Sequence, residues 1–147
     1  MTLRDILAVK GDAVFTITPA ATAREAAKKL MKCQVGALLV MEEEEQRDAG
    51  KILGIISERD LLRSFAEEGF ALDKLRVAEV MSTPLVTVSP DELVGDVMGV
   101  MTRERKRHLP VVADGRLLGV VSIGDVVKSQ HDHLVMENRF MKDYIGG

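Results

Sequence analysis

The alternation of apolar and polar positions marks out short strands and amphipathic helices in a fixed order along the chain. Leu3-Arg4-Asp5-Ile6-Leu7 has the spacing of one amphipathic helical turn. Val14-Phe15-Thr16-Ile17-Thr18-Pro19 alternates as a half-buried strand does and stops at a proline. Thr22-Ala23-Arg24-Glu25 is a capping-box pattern, and it opens a helix whose Ala23, Ala27, Leu30 and Met31 fall on one face. Val35 to Met41 is an unbroken apolar run that predicts a buried strand. The acidic stretch from Glu42 to Gly50 predicts an exposed hairpin loop, because its carboxylates repel one another and its last residue is a turn-forming Gly. Ile52 to Ile56 predicts another buried strand, and Ser57 and Asp60 stand at the opening of the helix that follows.

The same order is then written a second time. Residues 50–63, Gly-Lys-Ile-Leu-Gly-Ile-Ile-Ser-Glu-Arg-Asp-Leu-Leu-Arg, reappear as residues 115–128, Gly-Arg-Leu-Leu-Gly-Val-Val-Ser-Ile-Gly-Asp-Val-Val-Lys. Upstream, Val77-Ala78-Glu79-Val80-Met81 echoes the first helical turn, and Leu85-Val86-Thr87-Val88-Ser89-Pro90 echoes the first strand and its proline stop. Ser89-Pro90-Asp91-Glu92 is a second capping-box pattern, and Leu93, Val94, Val97, Met98 and Met101 form the second helical face. Leu109 to Ala113 predicts the next strand, and Asp114-Gly115 is a strong two-residue hairpin signal. Phe70 to Arg76 joins the copies. Lys128 to Ile145 prolongs the last helix, with Leu134, Met141 and Ile145 on one stripe. The predicted unit is strand, helix, strand, hairpin, strand, helix, twice over.

Composition narrows this to one protein body. With 147 residues, 46% of them hydrophobic, the two copies are expected to share a core. A net charge of −3, no Trp and 3% aromatic residues argue against a nucleic-acid surface with stacking platforms. The single Cys33 gives no disulfide framework and reads as a small helix-face hydrophobe; the eight methionines read mostly as core. His131 and His133 turn to different sides of a helix, so no metal site is expected. No nucleophile is paired with a base, and catalysis is not predicted. There is no span long enough for a membrane and no signal-peptide pattern, which places the protein in the cytoplasm on expectation.

The repeated Gly-x-x-Ser-x-x-Asp, Gly54/Ser57/Asp60 and Gly119/Ser122/Asp125, puts a hydroxyl and a carboxylate at a strand-to-helix junction. There, unpaired backbone N–H groups favour an anion and the carboxylate can accept from sugar hydroxyls. The plainer alternative is that each Ser-Asp pair caps its helix and nothing more. Taken with the element order, the doubled motif resembles the pair of CBS domains known as a Bateman module, over nearly the whole chain. The resemblance implies an α+β fold of two β-α-β-β-α repeats packed sheet to sheet with pseudo-twofold symmetry and two clefts. On that reading residues 2–69 and 77–130 are the repeats and 131–147 a helical extension.

Modules of this family regulate partner proteins by binding adenosine compounds. AMP is the first expectation here, with ADP, ATP, NAD and S-adenosylmethionine as further ligands, and no catalytic cofactor is implied. Carried over by the resemblance, Asp60 and Asp125 would hold ribose hydroxyls, with Ser57 and Ser122 near phosphate. The adenine beside Asp125 would lie on Val35, Gly36 and Ala37 with Ala13 or Val14, and that beside Asp60 on Thr83, His108 and Leu109. Arg59, Arg107 and His108 would face phosphate; Gly124 stands opposite Arg59, so the two clefts are expected to differ. The competing reading is a structural adaptor or dimerisation module with vacant clefts. Phe140, Met141, Tyr144 and Ile145 are costly to leave in water; they can fold back on their own module or meet a second copy, and with the family resemblance a homodimer is the expectation, alongside an unidentified regulated protein.

Overall fold

The computed structural model describes residues 1–44, 46–69 and 71–146, and the side chains of residues 1–142 other than 45 and 70. It contains the helices α1 Leu3–Lys10, α2 Ala23–Cys33, α3 Glu58–Glu68, α4 Val77–Val80, α5 Val94–Glu104 and α6 Ile123–Gly146. The strands are β1 Thr16–Ile17, β2 Ala37–Met41, β3 Ile52–Ser57, β4 His108–Ala113 and β5 Arg116–Ser122. The chain divides into two compact units. A first-repeat unit holds residues 13–86 and 114–117, and a second-repeat unit holds residues 1–12, 87–113 and 118–147. The helical turn that precedes each repeat in sequence is therefore exchanged: α1 belongs with the second repeat, and α4 with the first.

In the first-repeat unit, β1 lies parallel to β2 with Thr16 opposite Leu39, and β2 runs antiparallel to β3 with Ala37 opposite Ser57. The capping box at α2 forms as expected, with the Glu25 N–H donating to Thr22 Oγ1 at 3.1 Å and the Thr22 N–H donating to the Glu25 carboxylate at 3.2 Å. Gln34 ends that helix in the left-handed conformation (φ 55°), and the next N–H, of Val35, donates to the Leu30 carbonyl at 3.1 Å. Ala23, Ala26 and Leu30 of α2 pack with Leu38, Val40, Ile56, Leu61 and the exchanged Val77 in one core. Ala27 sits at its margin, and Met31 is 81% exposed, so the apolar stripe turns one position from where the sequence pattern put it. The acidic loop is exposed at Glu42 to Glu44, its Glu45 lies outside the described residues, and a short 3-10 turn at Ala49–Lys51 leads into β3.

The second-repeat unit follows the same plan with one strand missing. The Val94 N–H donates to the Met1 carbonyl at 3.0 Å, and the Leu3 N–H to Glu92 at 3.1 Å, which fixes α1 against the start of α5. Val94, Val97 and Met101 are buried as the pattern requires, whereas Leu93 is exposed and Met98 half-buried. Leu85 to Pro90, expected as a strand, makes only an isolated bridge between Val88 and Val111. The cause is visible in the other repeat. There the Leu39 N–H donates to the Phe15 carbonyl at 3.0 Å, and the residue at the place of Leu39 is Pro110, which has no N–H to give. Ser89 to Glu92 makes only half of a box, the Ser89 N–H donating to Glu92 at 2.6 Å while the Ser89 hydroxyl accepts from the Asp91 N–H at 3.3 Å; it is a turn ahead of the helix and does not cap it: α5 starts at Val94 behind Leu93, which offers no capping side chain. Asp114 and Gly115 both take positive φ (52° and 72°), as a two-residue hairpin between β4 and β5 demands.

The methionines depart from expectation. Met41 and Met101 are core, but Met1, Met31, Met136 and Met141 are exposed. Cys33 is half-buried at the end of α2. On α6, Leu134, Phe140 and Met141 are exposed, Phe140 by 75%; the side chains of Tyr144 and Ile145 lie outside the described residues. No helix among the described residues is long and apolar enough to cross a membrane.

The motif glycines explain how the exchanged turns fit. A Cβ on Gly54 would stand 2.7 Å from Met81 Sδ and 3.0 Å from the Ser82 carbonyl, and one on Gly119 would stand 2.8 Å from Leu7 Cδ2. Leu7 can swing aside, whereas the Ser82 carbonyl cannot. Gly54→Ala is therefore expected to lower unfolding stability by about 1–3 kcal/mol, and Gly119→Ala by less; urea denaturation of both variants checks the order.

Candidate functional site

Both Ser-Asp motifs sit where a strand passes into a helix with no intervening residue: β3 into α3 at Ser57–Glu58, and β5 into α6 at Ser122–Ile123. An abrupt junction of this kind leaves helix N–H groups without intrahelical partners. The motif supplies partners for them. The Ser57 N–H donates to Asp60 Oδ2 at 2.9 Å, the Ser57 hydroxyl donates to the same oxygen at 3.0 Å, and the Asp60 N–H donates back to Ser57 Oγ at 3.4 Å. In the second repeat the Ser122 N–H donates to Asp125 Oδ2 at 2.8 Å and the Asp125 N–H donates to Ser122 Oγ at 3.1 Å. The capping reading thus holds at both motifs, and what remains is how much acceptor capacity each carboxylate keeps.

The two differ sharply there. Asp60 is only 4% exposed, and its Oδ1 accepts from the Ser82 hydroxyl at 2.7 Å, with the exposed Arg63 farther away at 3.7 Å. Both its oxygens are engaged, at hydrogen-bond distance only by neutral donors. The Asp125 side chain is 25% exposed, and its Oδ2 also accepts from Lys10 Nζ at 2.6 Å. Lys10 Nζ donates in addition to the Val120 carbonyl at 2.7 Å, so the cation is held from two sides. Burial pushes the Asp125 carboxyl up, but the hydrogen bonds from Lys10 and the Ser122 N–H, with the ammonium charge, outweigh it and leave the carboxyl below its ordinary 3.8.

Each motif also meets the strand start of its own repeat. The Glu58 N–H donates to the Gly36 carbonyl at 3.1 Å, and Ala37 is the register partner of Ser57. Likewise the Ile123 N–H donates to the Arg107 carbonyl at 2.8 Å. So Gly36, Ala37, Ser57 and Asp60 come together in one unit, and Arg107, His108, Ser122 and Asp125 in the other. Val35 and Gly36 line an open groove of about 430 Å³ with Leu30, Gln34, Glu58 and Leu61. Arg59 and Arg107 are exposed, and among the described residues neither is in an ion pair. Thr83 and Ala13 are exposed, Val14 and His108 half-buried, and Leu109 fully buried, which leaves Leu109 only its backbone for any ligand. The expected groupings of Asp125 with Val35 to Ala37, and of Asp60 with His108 and Leu109, draw on both units and are carried forward as proposals.

Lys10 and Ser82 were not singled out by the sequence. Each lies outside the repeated motif, at or just beyond the end of an exchanged helical turn, and no local pattern ties it to an aspartate 115 or 22 positions away. No group of three or more His, Cys, Asp or Glu side chains among the described residues is placed to hold a metal.

Doubled repeat, exchanged turns and doubled Ser-Asp box define a two-repeat module. The CBS-domain family model matches residues 3–67 and 77–132, and the chain belongs to that family. It is 36% identical over 139 residues to the mitochondrial CBS domain-containing protein CBSX3 of Arabidopsis thaliana, covering 90% of this chain and 66% of that protein. Among solved structures, a CBS-domain containing protein from Agrobacterium tumefaciens matches with a TM-score of 0.81 at 36% identity, over 88% of this chain and 92% of that one. A CBS domain pair in complex with 5-methylthioadenosine and S-adenosyl-L-methionine matches with a TM-score of 0.75 at 26% identity, over 90% and 98%.

Two measurements check the site. Ser82→Ala strips a buried carboxylate oxygen of its close donor, and a loss of about 1–3 kcal/mol in unfolding stability is expected. Because the folded-state carboxyl of Asp125 is lowered, its contribution is present above the ordinary value of 3.8 and is lost as pH falls through the folded-state value. The wild type should therefore exceed Asp125→Asn in stability at neutral pH, and the gap should close in acid; a gap that stays constant down to about pH 2 contradicts this.

Proposed function

We propose that this CBS pair is a sensor of adenosine compounds, AMP foremost, which bind at the Ser-Asp motifs and alter the module's contact with a separate protein. The observation that carries the reading is the doubled carboxylate-and-hydroxyl junction in a chain of this family, with Asp125 keeping one oxygen, Oδ1, without a hydrogen bond among the described residues. An ionised carboxylate offers only acceptors, which suit a vicinal diol of two O–H donors. The relative solved with 5-methylthioadenosine and S-adenosyl-L-methionine supports the ligand class. ADP, ATP and NAD share the adenosine part and stay within the proposal, with Arg59, Arg107 and His108 toward phosphate and Val35 to Ala37, Ala13, Val14, Thr83 and Leu109 toward adenine.

One observation favours a second reading for one motif. Asp60 is buried with both oxygens occupied, so the first-repeat motif is purely structural on this view and binding is confined to Asp125. A ligand at about a hundred times its dissociation constant adds about 2.7 kcal/mol to native stability. Melting curves of nucleotide-free protein with AMP, ADP, ATP, NAD and S-adenosylmethionine should show a clear rise for at least one; five flat responses refute the sensor reading. Calorimetry then separates the motifs: Asp125→Ala should weaken binding by about 1.5–3 kcal/mol, and an equal loss in Asp60→Ala would rule out the one-site version.

The exposed Leu134, Phe140 and Met141 on α6 support a homodimer. Light scattering is expected to give twice the chain mass for the 147-residue chain and the single mass for a chain ending at Gln130; a monomer of 147 residues refutes it.

A further inference from the structure

The two motif aspartates are held by different chemistry. At Asp60 the added donor is a neutral hydroxyl, Ser82, whereas at Asp125 it is the ammonium of Lys10, 2.6 Å from Oδ2. A ribose diol that takes both oxygens of Asp125 must displace that ammonium. Displacement leaves Lys10 with only the Val120 carbonyl, at 2.7 Å, as partner, and the ammonium gives up its charge-assisted hydrogen bond to the carboxylate. A ligand that brings its own anion removes this cost. The four-carbon stem of Lys10 carries a compact charge that can turn from one acceptor to another, and its side chain is 37% exposed, so the turn is not blocked by packing.

Resting on the nucleotide reading above, we infer that Lys10 is the specificity-determining residue of the Asp125 site: it holds the carboxylate in the free protein and passes to the ligand's phosphate when the ribose hydroxyls take its place. The site then selects adenosine compounds with a phosphate near the ribose over neutral adenosine. Asp60 has no ammonium within hydrogen-bond distance among the described residues, so this discrimination belongs to the second repeat alone.

The test is calorimetric binding of AMP and of adenosine to the wild type, Lys10→Met and Lys10→Arg, with melting curves to establish that each variant is folded. The wild type is expected to prefer AMP by about tenfold or more, as for a charge-assisted hydrogen bond. In Lys10→Met the preference should fall to about threefold or less, chiefly through weaker AMP binding, and Lys10→Arg should restore most of it. A merely structural Lys10 would weaken both ligands alike. Equal affinity of the wild type for the two ligands, or a preference that survives in folded Lys10→Met, overturns the inference while leaving the nucleotide reading intact. Binding of neither ligand to the nucleotide-free wild type overturns the inference, and it overturns the nucleotide reading as well when ADP, ATP, NAD and S-adenosylmethionine also fail to bind. If Lys10→Met does not fold, Lys10→Gln keeps the stem and removes the charge, and the same ratios apply to it.

Discussion

The reciprocal bond between a serine at a strand's last position and an aspartate three residues into the next helix is the constraint on which each repeat depends. A strand that becomes a helix without a connecting loop must find partners for the N–H groups at the turn, and a carboxylate that accepts from the serine N–H at 2.8–2.9 Å closes that requirement locally. Because the junction is closed locally, the strand end can sit under the first residue of its sister strand, as the Gly36 and Arg107 carbonyls show by accepting from the first helical residue. The same carboxylates are the groups a ligand would use. Structural and binding demands therefore fall on one atom pair, and the repeats answer them differently: one keeps its aspartate buried among hydroxyls, and the other leaves it partly open beside a cation.

Much of this was legible because the sequence states it twice. The duplicated Gly-x-x-Ser-x-x-Asp located both junctions, the Thr22 box located the start of α2, and Asp114-Gly115 located the hairpin, since each of these is decided by residues within four positions of one another. What escaped was decided at a distance. Leu85 to Pro90 has a strand's alternation, yet its ladder needs a donor at residue 110, and that residue is proline. Met31 follows helical spacing and still faces solvent, because Leu30, one position away, meets the core instead. Lys10 and Ser82 became visible only when the chain brought them to aspartates far along the sequence.

The repeats differ at their motifs more than in their strand cores. Leu38 is matched by Leu109 and Val40 by Val111, although Ala23 and Ala26 of α2 are replaced by Val94 and Val97 in α5, and the left-handed helix ends at Gln34 and Arg105 coincide in φ to within a degree. By contrast, the partners of the two aspartates, the occupant of the position after the serine, and the donor lost at Pro110 all differ. After a duplication, each copy is free to drift only where its own stability permits. Here the interior held its shape while the chemistry offered to a ligand diverged.

The exchange of α1 and α4 bears on how such a chain is built. Cutting it between residues 70 and 76 would produce two pieces of nearly equal length, each carrying the helical turn the other one needs. Val77, fully buried in the first-repeat unit, would leave with the second piece, and Leu3, fully buried in the second-repeat unit, with the first. A single repeat of this design is thus an unfinished fold, completed only by lending its leading helix and borrowing another. The covalent link between the copies turns what would be a swap between two molecules into one within a single chain, where the lender is always present at the concentration its tether sets.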